Sequence, residues 1–316
     1  MKNKKILIIG ISGGLAQILS KLIWQDHPEY EVIGVDSRRI PDLASVQNLK
    51  TIRMKFKRGN FENLFRENEF DVVYHLARMS LSSNSSTELA KRLELSVMGT
   101  NKILDLCLEF KVKRIVMLST YHVYGALPDN SIFLKENSPL KASVKYSELR
   151  DVVEMDQICE SFMWKNKEEI ETIMLRPCNI IGKQINNTMT KFLTSYLSLK
   201  PIDFNPMFQF IHEYDMAKVL QLSSKKKLPT GIYNVAANDY ISLKDAIDIT
   251  SKSSIPFFMT AAHGINKILK VANLNVPDYF IDYLKFSCLI DSSELKRYLG
   301  SDFNRFKIED TLKLIK

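Results

Sequence analysis

Ile6-Leu7-Ile8-Ile9-Gly10-Ile11-Ser12-Gly13-Gly14-Leu15-Ala16 is the stretch on which the fold turns. Its four leading apolar residues read as a strand buried on both faces, as in a parallel sheet. The glycines after them read as a tight turn, and the apolar spacing beyond as a helix. That order has a chemical use. Gly10 permits the turn, Gly13 lets bare backbone approach a pyrophosphate, and the small Ala16 lets the helix lie close to the sheet. The helix start then aims unpaired N–H groups at the phosphates. Asp36 stands about twenty residues beyond Ala16, at the end of the second apolar run, where a carboxylate would accept hydrogen bonds from an adenosine ribose. Gly10, Ser12, Gly13, Gly14 and Leu15 are therefore the expected phosphate cradle. Asp36 favours NAD, because it would repel a 2′-phosphate. Arg38 and Arg39 follow at once and keep NADP as the alternative.

Working outward, strand-like runs at 6–9, 31–35, 50–54, 71–74, 114–118 and 172–175 alternate with helix-like segments near 14–25, 61–67, 87–110 and 145–165. This alternation predicts an α/β fold, a Rossmann-type doubly wound parallel sheet. Beyond residue 180 the rhythm changes. We expect a dinucleotide-binding domain over 1–180 and a smaller, mostly helical substrate lobe over 181–316. Two short strands are expected there, Gln209–Ile211 and Ile232–Ala236, and the second is able to return to the main sheet.

Composition narrows the classes. Hydrophobic residues make up 45% and charged residues 25%, ordinary for a globular protein. The sequence has no apolar stretch of about 18 residues, so no membrane span is expected. The net charge is +8, but the lysines are scattered and the longest run is Lys225-Lys226-Lys227. A solvated surface is expected rather than a nucleic-acid footprint. Cys107, Cys159, Cys178 and Cys288 lack the paired spacing of a metal site, so no metal is expected and a reducing cytoplasm is.

Further landmarks follow in order. They are Arg58-Gly59-Asn60-Phe61, Asp71-Val72-Val73-Tyr74-His75-Leu76-Ala77, Leu118-Ser119-Thr120-Tyr121-His122-Val123-Tyr124-Gly125 and Leu175-Arg176-Pro177-Cys178-Asn179-Ile180-Ile181-Gly182. Phe210-Ile211-His212-Glu213-Tyr214-Asp215-Met216-Ala217 and Gly231-Ile232-Tyr233-Asn234-Val235 complete the set. Together with the glycine turn they resemble the extended short-chain dehydrogenase/reductases, the NAD-dependent epimerase/dehydratase family. The resemblance spans nearly the whole chain. It implies an enzyme that moves a hydride at a hydroxyl or carbonyl carbon, with NAD as cofactor and NADP as the alternative. It implies that Asn60 and Phe61 lie beside the adenine, that Leu76 and Ala77 lie against the cofactor, and that Pro177 lies near the nicotinamide.

The resemblance also implies a tyrosine with a lysine four residues on, sharing one helix face. Here the segment is Tyr146-Ser147-Glu148-Leu149-Arg150. A free tyrosine ionises near about pH 10, so a proton-handling tyrosine needs help from a neighbouring charge. Tyr146 is the expected proton donor or acceptor and is also expected to touch the cofactor, Arg150 is the cation on the cofactor ribose, and Thr120 the hydroxyl that orients the substrate. Arginine keeps the charge but carries it on a longer planar fork. Ser96 stands where the family has asparagine. These two departures leave a second reading, a dinucleotide-binding sensor or partner-binding module without turnover. His75 is expected as a core histidine, His122 receives no role, and Cys178 is expected to pack.

Many relatives act on nucleotide sugars through arginines that grip the diphosphate. The first such position here is Phe208, and after Arg176 the only arginines are Arg297 and Arg305. A smaller or more apolar substrate therefore competes with a nucleotide sugar. A homodimer is implied, pairing the helices near 87–110 and 145–165. The apolar face around Ile265, Ile268 and Leu269 is expected as core or dimer surface.

Overall fold

The opening apolar run forms β1 (Lys5–Ile9), and the runs after it form β2 (Glu31–Asp36), β3 (Leu49–Arg53), β4 (Val72–His75) and β5 (Arg114–Leu118). The structure, a computed structural model, describes residues 3–77, 93–195, 197–225, 228–251, 253–259, 277–300 and 303–315. Short β6 (Phe133–Leu134) precedes β7 (Glu171–Pro177), β8 (Asn179–Ile181), β9 (Leu197–Pro201), β10 (Met207–Phe208), β11 (Phe210–His212) and β12 (Gly231–Val235). The last strands are β13 (Ile241–Ser242), β14 (Ser253–Phe257) and β15 (Leu289–Ile290). The helices used below are α1 (Gly14–Asp26), α2 (Arg58–Glu67), α3 (Gly99–Glu109), α4 (Ala142–Lys145), α5 (Arg150–Lys165), α6 (Thr188–Leu193) and α7 (Glu213–Ser223). Two more are α8 (Leu243–Thr250) and α9 (Asp278–Tyr283).

Seven strands make one parallel sheet in the order β12-β7-β5-β4-β1-β2-β3. The strand alternation of β1 explains its two-sided burial. Ile6 and Ile8 join one core with α1 and α7, while Leu7 and Ile9 join the other with α2, α3 and part of α5. Each fully buried aliphatic side chain contributes roughly 1.5–3 kcal/mol. Arg114, almost fully buried at the start of β5, donates to the carbonyls of Ser223, Lys225 and Leu228 at 2.8, 2.7 and 3.1 Å. It thereby satisfies the Ser223 carbonyl at the end of α7 and ties down the segment that follows.

The expected doubly wound sheet is therefore present. Gly231–Val235 takes the alternative left open for it and pairs with β7 at the sheet edge. Outside the main sheet the chain also holds more strand than the sequence shows, in pairs β10–β13, β11–β8, β14–β9 and β15–β6. Apart from the five-residue pair β14–β9, these are two or three residues long, too short to carry a hydrophobic period. The segment expected as one helix over 145–165 is broken: α4 ends at Lys145, a 3₁₀ turn covers Ser147–Leu149, and α5 begins at Arg150. The face around Ile265, Ile268 and Leu269, and residues 87–92 of the earlier helical segment, lie outside the described residues.

Candidate active site

Gly10 sits at φ +100°, a backbone region that favours glycine, and a Cβ there would lie 2.8 Å from the backbone nitrogen of Ala77. Its N–H donates to the Val35 carbonyl at 2.8 Å, which binds the turn to the end of β2. Gly13 opens α1 and its N–H returns to the Gly10 carbonyl at 3.0 Å. No side chain caps α1 at Gly13, so the helix start keeps its electrostatic preference for an anion. Leu15 and Ala16 are buried beneath it. The Ser12 N–H donates to Asp36 Oδ2 at 3.1 Å, and the Ser12 hydroxyl donates to the Arg39 carbonyl at 3.2 Å.

Asp36 is nearly buried, and Arg38 grips both of its oxygens: Nε to Oδ1 at 3.1 Å and one terminal nitrogen to Oδ2 at 3.0 Å. Burial pushes the Asp36 carboxyl up, but the hydrogen bonds from Arg38 and the Ser12 amide outweigh it and hold the group below the usual carboxylate range. The cradle residues thus converge, with Leu76 and Ala77 beside them. Leu76 donates its N–H to the Ile9 carbonyl at 3.0 Å.

Gly10, Asp36, Met54, Phe56, Phe61 and Ala77 line a recess of about 50 Å³ at this end. Phe61 faces this recess. Asn60 is exposed on α2, where its side-chain amide donates to the Lys55 carbonyl at 3.0 Å, and it lines a shallow groove with Ile52, Arg53 and Met54 at the end of β3. Met54 and Phe56 line the recess instead. The sequence signal was available, because Met54 is the first residue past β3, and its N–H donates to the Asp36 carbonyl at 2.9 Å.

A larger cavity of 340 Å³ runs from Arg38 past Thr120, His122, Pro177 and Asn179 to Tyr279. Among the described residues its one formally charged lining side chain is Arg38. Thr120 Oγ1 and His122 Nδ1 are 3.0 Å apart, which gives the unassigned His122 a place beside the expected substrate hydroxyl. Beneath them, Ser119 donates to Asp156, and Arg176 donates to Asp156 through Nε at 3.0 Å and a terminal nitrogen at 2.6 Å. Arg176 also bonds the Tyr124 hydroxyl and the Glu136 carbonyl. The Arg176–Asp156 pair is almost wholly buried. Such a pair persists because its hydrogen bonds are satisfied. It fixes the end of β5, α5 and β7 as one unit under the cavity.

Cys178 lines this cavity with its thiol pushed up by burial. Burial lowers His75 to about 4; its Nε2 meets Thr100 at 2.9 Å, while its Nδ1 has no partner among the described residues. Ser96 is buried on the turn Glu94–Met98 that leads into α3.

Tyr146 and Arg150 do not share a helix face. Tyr146 has extended backbone at φ −123° and ψ 106°, and α5 begins only at Arg150. The exposed Arg150 guanidinium donates to Glu154 at 2.6 Å. The Tyr146 hydroxyl donates instead to Asp282 on α9, and Lys145 Nζ donates to the same oxygen. Lys145 Nζ also lies 5.3 Å from the centre of the Tyr146 ring. A second tether holds α9 here, from the Tyr279 N–H to Glu148 at 2.7 Å. Sequence reasoning missed Asp282 and Lys145. Asp282 is remote in the chain, and Lys145 sits on the wrong side of Tyr146 for the expected spacing.

A seven-stranded parallel sheet, a glycine turn opening α1 and an acid at the end of β2 define a class, the Rossmann-type dinucleotide-binding folds. The chain belongs to the NAD dependent epimerase/dehydratase family, whose model matches residues 6–236. It is 24% identical over 306 residues to an uncharacterized protein of Mycobacterium tuberculosis, covering 94% of this chain and 79% of the other. It is 23% identical over 258 residues to the human dTDP-D-glucose 4,6-dehydratase, covering 76% of this chain and 71% of the enzyme. Among solved structures, the UDP-glucose 4-epimerase of Thermus thermophilus in complex with NAD superposes with a TM-score of 0.75 at 15% identity, over 98% of this chain and 97% of that one. The family resemblance drawn from the sequence motifs is borne out. An enzyme of epimerase/dehydratase type is the reading the family supports, and the module without turnover is not favoured. Among the described residues no helix is long and apolar enough to cross a membrane.

Proposed function

We propose that this chain is an NAD-dependent epimerase or dehydratase acting at a hydroxyl-bearing carbon of a nucleotide sugar. The observation that carries the reading is the cradle itself. A Cβ at Gly10 would collide with Ala77, and Asp36 stands beside it with a carboxylate that favours its charged form. Those residues fit a dinucleotide. Gly10, Ser12, Gly13, Gly14 and Leu15 would hold the pyrophosphate against α1, and Asp36 would meet the adenosine ribose once Arg38 yields an oxygen. Met54, Phe56 and Phe61 would shelter the adenine.

When bound, the nicotinamide supplies a reversible hydride acceptor. The chain's own part is to hold the substrate oxygen and handle its proton. Thr120, fixed by His122, orients that oxygen. Tyr146 exchanges its proton; Asp282 holds its hydroxyl, and Lys145 neutralises that carboxylate from beside the ring. Arg150 supplies positive charge near the cofactor ribose only after leaving Glu154. The sugar class rests on the names of the relatives. Phe208, buried on β10 and stacked 6.0 Å from Phe210, offers no charge to a diphosphate.

The test is turnover. Purified chain with NAD is assayed against UDP-glucose and dTDP-glucose, following epimerised product and keto-sugar absorbance. Loss of turnover in Tyr146→Phe with NADH binding kept supports the reading; full turnover in that variant sinks the mechanism. We also propose a homodimer formed by the exposed faces of α3 and α5, where Leu108, Ile158 and Phe162 line a shallow groove. A reducing cytoplasm suits the four cysteines, all buried and free.

A further inference from the structure

Strands β8 and β11 run parallel with Ile181 opposite His212, so the residues just past them, Gly182 and Glu213, meet side by side. The contact is close: a Cβ on Gly182 would lie 2.2 Å from the Glu213 carboxyl carbon. Glu213 is nearly buried, and its carboxylate accepts the Gln184 N–H at 2.9 Å and the Lys183 N–H as well. Asn187 ties the far end of the same turn, donating to the Ile180 carbonyl at 2.7 Å and accepting from the Thr190 N–H at 2.8 Å. The turn so pinned lies across the start of α1. A Cβ on Gly14 would stand 2.4 Å from the Gln184 carbonyl oxygen, so only a residue without a side chain lets the two backbones meet. Backbone is not a flexible neighbour that gives way, so Gly14 is required by the contact, while a side chain on Gly182 would displace the Glu213 carboxylate.

We infer that residues 182–187 form a strap over the phosphate end of the cofactor cradle, and that Glu213 is the positioning residue that latches it. This rests on the cofactor reading above. The dinucleotide's phosphates would lie where the strap meets Gly14, so leaving the cradle requires the Glu213–Gln184 contact to open. The strap also carries Ile185, Asn186 and Asn187 into the wall of the large cavity. Opening the latch therefore loosens the cofactor cradle and the substrate wall together.

The experiment uses NADH as the probe, with its release followed by stopped-flow fluorescence, and amide hydrogen exchange at 183–187 measured without nucleotide. Charge-assisted hydrogen bonds are strong enough that Glu213→Ala should speed NADH release about tenfold or more. Glu213→Gln keeps an acceptor oxygen and should fall between. Gly14→Ala pushes the strap away without touching Glu213 and should also speed release. Faster exchange of the 183 and 184 amides in Glu213→Ala supports the latch, and circular dichroism confirms that each variant is folded. Release within about twofold of wild type in both Glu213→Ala and Gly14→Ala overturns the proposal, as does unchanged exchange in Glu213→Ala. A wild-type chain that binds no NADH overturns the cofactor reading and the strap's role with it; binding with unaltered release overturns the strap alone.

Discussion

The two ends of the candidate site are built on different principles. At the cofactor end the work falls to backbone. Gly10, Gly13 and the start of α1 follow one another in the chain, and β1 and β2 hold them in register. At the catalytic end the work falls to side chains from distant segments. Tyr146 finds Asp282, and Arg150, expected on the cofactor ribose, turns to Glu154. A backbone cradle can be written in a short run of sequence, whereas a side-chain constellation depends on which remote element docks beside it. That contrast separates substitutions that should abolish binding from those that should slow turnover and leave binding alone.

The largest effect is expected at the cofactor end. Gly10→Ala forces a side chain into φ +100° and against the Ala77 backbone. Strain of about 1–3 kcal/mol adds to the steric conflict. NADH affinity, read by fluorescence titration, should fall about a hundredfold. Unchanged affinity would mean that the cofactor does not use this turn. Next in size is Tyr146→Phe, which should lower turnover about a hundredfold while leaving NADH affinity alone. If binding fell instead, Tyr146 would belong to the cofactor end and the contrast would collapse.

What the sequence makes legible is local. Gly10, Asp36 and Ala77 line the smaller recess and Thr120 and Pro177 the larger cavity, because each sits at the carboxyl end of a strand or just beyond it. In an open parallel sheet that edge is where ligands bind. Asn60 lines a groove with Met54 rather than the recess beside Asp36, because α2 has already begun at Arg58. The Tyr146–Arg150 spacing misled for a related reason. Four residues apart means one face only inside a helix, and the chain between them is a 3₁₀ turn. Nothing near Tyr146 in sequence announces Asp282, whose pairing depends on α9 being capped by Glu148. The two-residue strands β10, β13 and β15 were equally invisible, being too short for a period.

Asp282→Asn should sharpen the catalytic half. The neutral amide can still accept from the Tyr146 hydroxyl but no longer balances Lys145. Turnover with UDP-glucose or dTDP-glucose should fall about tenfold, with NADH affinity unchanged. Asp282→Glu should restore part of the loss, which a purely structural role for the carboxylate would not require. If Asp282→Asn instead raised turnover, the carboxylate would be restraining Tyr146, and α9 would be a brake on the site.

The smallest expected effect probes where the two principles meet. Arg38 is a side chain on the backbone cradle; its guanidinium is 62% exposed while the Asp36 carboxylate it grips is 6% exposed. For the ribose hydroxyls to reach Asp36, that grip must loosen, which opposes NADH binding. For a 2′-phosphate, the same guanidinium is a ready bidentate partner. Removing it therefore acts in opposite directions on the two cofactors. Arg38→Ala should tighten NADH by about two- to threefold and weaken NADPH by about tenfold, since a pair whose guanidinium is mostly in water is worth little and a phosphate contact more. Paired titrations with the two reduced nucleotides measure the ratio directly. Equal shifts for both would show that Arg38 merely supports Asp36, and the choice of cofactor would then rest on the carboxylate alone.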